Sequence, residues 1–238
     1  NWSRVANYVD PAPALIYHVE RRNGPVRVHQ ESFAVPLLKP VEAQLVADDP
    51  TVCLVRFTFV NEGLEPTTAT LPIGFSTRAR HDRMCYQGGE RRWDPSPPLV
   101  PLAVGEFSES SARQAGERLL LATIDGNPVA RGSIATDMTP GVEGQRTVLR
   151  RQLAPGEQCR VELKITRQPL ATPGEREALA GLNYDDLRAR TARFWNDQVA
   201  PWADLKTPEL ELNNFHKAHL VHQMTADHRM AGPEGFIS

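Results

Sequence analysis

Cysteine, aromatic residues, long apolar runs and any excess of one charge are all scarce in this sequence, and each scarcity removes a class of protein. Cys53, Cys85 and Cys159 are the only cysteines in 238 residues. An odd number at wide spacing fits neither a disulfide framework nor a paired-cysteine zinc site. Lysine and arginine total 27 against 29 aspartate and glutamate, for a formal net charge of −2. A chain so balanced has no electrostatic footprint for nucleic acid or an anionic membrane surface. No apolar run approaches the ~18 residues of a membrane-spanning helix. The serine-hydrolase elbow, the Walker loop and the dinucleotide-binding glycine motif are absent, so no cofactor is implied. Asn1-Trp2-Ser3 carries no methionine, basic segment or apolar segment of a secretion signal, and the compartment stays open.

What remains is ordinary globular material, 40% hydrophobic and 24% charged. The first 170 residues read as strands. Val55, Phe57 and Phe59 alternate with Arg56 and Thr58, the period of a half-buried strand. Ala69, Leu71, Ile73 and Phe75 repeat it, and Pro72 points to an edge. Asn61-Glu62-Gly63 separates the two runs as a turn. Val41, Ala43 and Leu45 form a further alternating set after Pro40, and residues 14–20, 26–35 and 119–124 add more. The clearest expectation is a hairpin over residues 145–167. Cys159, Val161, Leu163 and Ile165 share one face there, and Ala154-Pro155-Gly156-Glu157 supplies the turn. Between residues 86 and 116 the pattern breaks into a long excursion. Eight or more strands without an intervening helix predict a large antiparallel β-sandwich over residues 1–170.

The character then changes. Ala171-Thr172-Pro173-Gly174 reads as a linker, and one helix is expected from about Arg176 to Ala200. Tyr184, Leu187, Thr191 and Phe194 lie on its apolar face, Asp185 and Asp186 are acids of a first turn, and Pro201 stops it. Thr207-Pro208-Glu209 then has the composition of a helix start, with a second helix expected to about Met230. The end, Gly235-Phe236-Ile237-Ser238, follows without a stop signal, so both ends are expected to belong to a piece of a longer chain. The expected division is 1–170 sandwich, 171–206 linker with helix, and 207–238 the start of a further helical domain.

Three stretches carry a resemblance to a known architecture. They are Arg190-Thr191-Ala192-Arg193-Phe194-Trp195, Val199-Ala200-Pro201-Trp202, and Leu205-Lys206-Thr207-Pro208-Glu209-Leu210-Glu211-Leu212-Asn213-Asn214. An aromatic-Trp pair near a linker-helix end, followed by Pro-x-x-x-Leu-Asn, resembles the junction in the six-hairpin glycosidase superfamily of bacterial glucoamylases and glycoside phosphorylases. The resemblance implies an N-terminal sandwich that supports an (α/α)6 toroid, with an oligo- or polysaccharide as substrate. It also implies that the toroid lies beyond this chain, so no catalytic carboxylate is carried onto any residue here.

Four residues are substrate-contact candidates. Trp93, between Arg92 and Asp94, offers a flat ring with polar neighbours for stacking on a sugar, or else pins its own loop to the sandwich. Arg229, Glu234 and Phe236 follow the expected first toroid helix, where such loops line the sugar cleft by analogy. His216, His219 and His222, with His228 beyond, fan over about 120° of a helix at about 100° per residue, with no i, i+4 pair and no HExxH. They are read as packing or surface histidines, and no metal site is expected. Trp195 and Trp202 are read as packing at the domain junction.

These features favour the N-terminal part of a glycoside hydrolase or phosphorylase. It predicts that Leu212, Phe215, His219 and Met224 present an apolar helix face that the fragment leaves partly exposed. The alternatives are a self-contained carbohydrate-binding or interaction module, whose helices would fold back on the sandwich, and a metal-dependent hydrolase using the histidines. With 7% aromatic residues, an exposed aromatic row for the module has little to draw on beyond Trp93.

Overall fold

β-Branched and aromatic residues at alternate positions set most of the described residues into antiparallel strands. The computed structural model describes residues 3–9, 14–43, 49–76, 99–100, 102–105, 116–124, 127–143, 146–201, 206–209, 212–213, 215–217, 219, 230–232 and 235–237. Strands β1 (Ser3–Val9), β2 (Tyr17–Asn23), β3 (Val26–Pro36) and β4 (Thr51–Asn61) lie side by side in chain order. β5 (Thr67–Ile73) leaves them for a second sheet, and β6 (Phe75–Ser76) pairs with β7 (Leu99–Val100). β8 (Leu102–Gly105), β9 (Arg118–Ile124) and β10 (Asn127–Thr136) return to the first sheet. β11 (Thr139–Glu143) and β12 (Arg146–Leu153) join β5, and β13 (Gln158–Thr166) fits between β4 and β10. Helices α1 (Pro173–Gly181) and α2 (Tyr184–Val199) follow, and β14 (Met230–Gly232) pairs with β15 (Gly235–Ile237).

The fold is mainly β. Its large sheet has eight strands in the order β1-β2-β3-β4-β13-β10-β9-β8, and its small sheet three in the order β11-β12-β5. Every pairing in both is antiparallel. The large sheet is the middle of three layers. One face contributes Val28, Phe59, Val161 and Ile134 to a core shared with Ala69, Leu149 and Leu153 of the small sheet. The other face contributes Phe33, Val35, Val52 and Leu54 to a core under Leu179, Ala180, Tyr184 and Leu187 of the helices. β4 shows how one strand serves both. Val55 and Phe59 point to the small sheet, and Val52 and Leu54 to the helices.

The helices are held by polar as well as apolar contacts. Thr172 caps α1 in a reciprocal box, its hydroxyl accepting from the Glu175 amide at 3.2 Å while Glu175 accepts from the Thr172 amide at 2.8 Å. At the far end the ammonium of Lys164 on β13, 4% exposed, donates to the Leu179 carbonyl at 3.0 Å and meets Glu117 at 2.9 Å. A cation from the sheet thus satisfies the negative end of the helix. β10 bulges between Ala130 and Gly132, and Gly132 adopts φ +148° where an added Cβ would stand 1.9 Å from the Lys164 carbonyl oxygen. Only glycine fits that approach.

Several expectations are corrected. The turn Ala154–Glu157 forms as read, with Gly156 at φ +75° and the Glu157 amide bonding the Ala154 carbonyl at 3.0 Å. It joins no hairpin, because β12 belongs to the small sheet and β13 to the large one. The Asn61-Glu62-Gly63 turn is likewise a crossing between sheets. Asn61, fully buried, bolts the two crossings together through its amide bonds to the Glu65 and Leu153 carbonyls at 2.8 and 3.1 Å.

Val41 and Ala43 lie in a turn closed by the Ala43 amide on the Pro40 carbonyl, not in a strand, and Leu45 lies outside the described residues. The excursion 86–116 contains β7 and β8, the latter an edge of the large sheet. Pro72 does sit on an edge strand, β5. The single helix expected from Arg176 is two, since Asn183 caps α2 through the Asp186 amide at 3.0 Å and forces extended backbone between them. Pro173 and Gly174 belong to α1 and not to a linker. The Thr207 hydroxyl bonds the Glu209 carbonyl and the Asn213 side chain. Leu212, Asn213, Phe215 to Lys217 and His219 are helical, but Met230 lies in β14, so the helix does not run that far.

Candidate functional site

The register of three neighbouring strands assembles a polar patch on the helix side of the large sheet. Glu31 on β3 stands opposite Arg56 on β4, and Arg56 opposite Glu162 on β13. The row extends to His18 on β2, opposite Glu31, and to Tyr8 on β1, opposite His18. One step along the strands, His29, Thr58 and Arg160 form a parallel row. The first turns of α2 overhang the Glu31 row with Tyr184, Asp185 and Arg188. Leu187 and Leu179 farther along the helices cover the apolar half of the face, so the polar half stays open at the α2 N-terminus.

Glu31 is the centre of the network. Its Oε1 accepts from the Tyr184 hydroxyl and its Oε2 from Arg188 Nε, both at 2.9 Å. His18 Nε2 stands 3.8 Å from the same carboxylate. Arg56 donates from Nε to Glu162 at 2.9 Å and from Nη1 to Asp185 at 2.7 Å, with its guanidinium carbon 3.8 Å above the Tyr184 ring centre. These charge-assisted bonds and the cation over the ring clamp the start of α2 to the sheet. Burial, then the Glu31 carboxylate, pushes the Tyr184 phenol far above its ordinary pKa, so it stays a donor. The Arg56 hydrogen bond holds Asp185 below the usual carboxylate range, keeping it an acceptor.

Beside this clamp the rings of Tyr8, His18 and His29 stack nearly parallel. Tyr8 and His18 lie 4.7 Å apart, and His18 and His29 lie 5.1 Å apart. His18 Nδ1 and His29 Nε2 are 2.9 Å apart and share one hydrogen. Burial, with the neighbouring His18, lowers the His29 pKa and favours the neutral ring.

Between the two rows and α2 lies an open cleft of about 300 Å³. It is lined by His29, Glu31, Arg56, Thr58 and Arg160 of the sheet and by Asp185 and Arg188 of α2. Fixed donors and ionised acceptors alternate around it. Such a lining is equipped to hold a small ligand rich in oxygen.

None of the candidates read from the sequence is among the described lining residues. Trp93, Arg229 and Glu234 lie outside the described residues, and Phe236 is in β15, opposite Ala231. Of the histidines, His216 and His219 are described and His222 and His228 are not. Among the described residues no group of three or more His, Cys, Asp or Glu is arranged to hold a metal. Nor, among the described residues, is any helix long and apolar enough to cross a membrane. Trp195 packs edge-on against Phe194 at 5.1 Å, and Trp202 lies outside the described residues.

The cleft is not legible in the sequence, because its residues occupy polar positions of alternating strands and resemble a solvent face. The one available signal was their number on three strands that turn out to be neighbours. No protein-family model matches the chain, and no curated protein matches it.

Proposed function

We propose that this chain is the sandwich and helical lead-in of a carbohydrate-active enzyme, a glycoside hydrolase or phosphorylase acting on oligo- or polysaccharide. In this reading a following (α/α)6 toroid carries the catalytic carboxylates, and the helix begun near Leu212 is its first.

The observation that carries the proposal is a contrast between successive helices. The apolar face of α2 is sealed, with Tyr184 1% and Leu187 9% exposed. On the next helical segment Leu212 is 51% and Phe215 70% exposed, and Phe215 stacks only on His219, at 6.2 Å, among the described rings. Large apolar side chains left open at helical spacing mark a surface that another layer covers. A toroid whose first helix starts there supplies that layer. The junction segments Arg190–Trp195 and Val199–Trp202, similar to those of the six-hairpin glycosidases, are the sequence support. The alternative, a binding or interaction module without catalysis, expects these side chains to be packed on the sandwich.

The direct test expresses the complete reading frame containing this chain and assays it on a panel of α- and β-glycosides and polysaccharides, with and without phosphate. Release of reducing sugar, or of sugar 1-phosphate when phosphate is present, is expected. No release from any glycoside by a folded product overturns the enzyme reading.

A further inference from the structure

We propose that the cleft over β3, β4 and β13 is a non-catalytic site for one acidic sugar residue, a uronate, whose carboxylate is held by Arg160. The hydroxyl half of this inference rests on the carbohydrate reading above. The anion half rests on geometry alone.

Among the described residues, contact ion pairs within the cleft engage Arg56 and Arg188 but not the Arg160 guanidinium. Arg56 is engaged by Glu162 at 2.8 Å and by Asp185 at 2.7 Å, and Arg188 meets Glu31 at 2.9 Å. Arg160 is exposed and lines the cleft; its backbone carbonyl accepts from the Thr136 hydroxyl, while its guanidinium, which helps to hold the Asp185 carboxyl low from across the cleft, makes no hydrogen bond or ion pair with the described residues. A planar guanidinium presented this way matches a carboxylate through two parallel bonds.

The rest of the lining asks for hydroxyl groups. Thr58, opposite Arg160 in the register, offers a hydroxyl that both donates and accepts. Arg56 engages Oδ1 of Asp185, and among the described residues the second carboxylate oxygen is left to accept from a ligand. His29 adds a ring nitrogen from the other side of Thr58. The opening of about 300 Å³ sits at the lower end of small-ligand sites and takes a single pyranose ring. An apolar ligand of that size would strip water from charged groups without replacing their bonds. A polyol bearing one carboxylate replaces them.

Ligand-detected NMR titration of the 238-residue chain tests this with D-glucuronate and D-galacturonate, against glucose, acetate and inorganic phosphate. A uronate is expected to bind about tenfold or more tightly than glucose or acetate. Arg160→Gln is expected to erase the preference over glucose with an unchanged melting temperature, since the side chain is exposed. Thr58→Val is expected to weaken both sugars. The inference is overturned if uronates do not bind, if acetate or phosphate binds as well as they do, or if Arg160→Gln leaves uronate binding intact. Failure here leaves the enzyme reading standing wherever the complete reading frame still cleaves glycosides. Uronate binding without any glycoside cleavage would sink the enzyme reading and keep the site.

Discussion

The hydroxyl of Tyr184 and the carboxylate of Glu31, 153 positions apart in sequence, meet at 2.9 Å and join α2 to the third strand of the large sheet. The contact has two separable parts. The ring packs edge-on against Phe33 at 5.1 Å, and the hydroxyl serves a charged acceptor. Tyr184→Phe removes only the second, so a loss of about 1–3 kcal/mol in urea unfolding is expected, as for a bond to a charged group. No loss would mean that Arg188 alone anchors Glu31.

Lys164 and Glu117 are buried together, and the expected behaviour of such a pair is asymmetric. Lys164→Met leaves the Glu117 carboxylate, 1% exposed, without its ammonium, although the Ser133 hydroxyl still donates to it at 2.5 Å. A loss of about 3–5 kcal/mol is expected from the single change. Lys164→Met with Glu117→Leu is expected to lose less than Lys164→Met alone, because no uncompensated charge remains. Denaturant unfolding of the two variants decides this. A double variant weaker than the single one would contradict the account.

The histidine stack predicts a pH dependence with a defined sign. His29 faces Tyr8 on β1, His18 and Glu20 on β2, and Arg27 and Glu31 on its own strand, with Arg188 on α2 bonded to that same Glu31. Its pKa lies below the ordinary 6.5 in the folded chain, so the unfolded chain binds the proton more readily. The stabilisation is complete above 6.5 and is lost as pH falls through that value towards the folded-state pKa. The melting temperature is therefore expected to fall between about pH 7 and pH 5, and His29→Gln to flatten the slope. Asp185, Glu42 and Glu157 are lowered carboxylates, and their contribution is lost only at more acid pH, below the histidine window.

The parts of this fold set by local chemistry were legible in the sequence, and the parts set by pairing were not. Gly156 and Pro155 announced their turn, and the alternation of Cys159, Val161 and Leu163 announced their buried face. Neither could say that the turn crosses between sheets, since hairpins and crossings share the same local signals. The apolar face of α2 follows from the spacing of Tyr184, Leu187 and Thr191, while the cap at Asn183 splits a stretch whose periodicity reads as one helix. The cleft stayed hidden for the same reason as the crossings. Glu31, Arg56 and Glu162 become a row only when β13, distant in sequence, is inserted beside β4. Trp93 lies outside the described residues, and the described cleft is built of charged side chains at positions whose sequence pattern is that of a solvent face.

Truncation tests the proposed division of the chain at residue 207 most directly. The 238-residue chain is compared with a chain ending at Thr207 by thermal unfolding and by binding of a dye that reports exposed apolar surface. If Leu212 and Phe215, both exposed, serve a layer other than the sandwich as proposed, the shorter chain keeps its melting temperature and binds less dye. A shorter chain that melts earlier or loses cooperativity would contradict it. The segment after Thr207 would then be part of the sandwich's own fold, as the module reading requires.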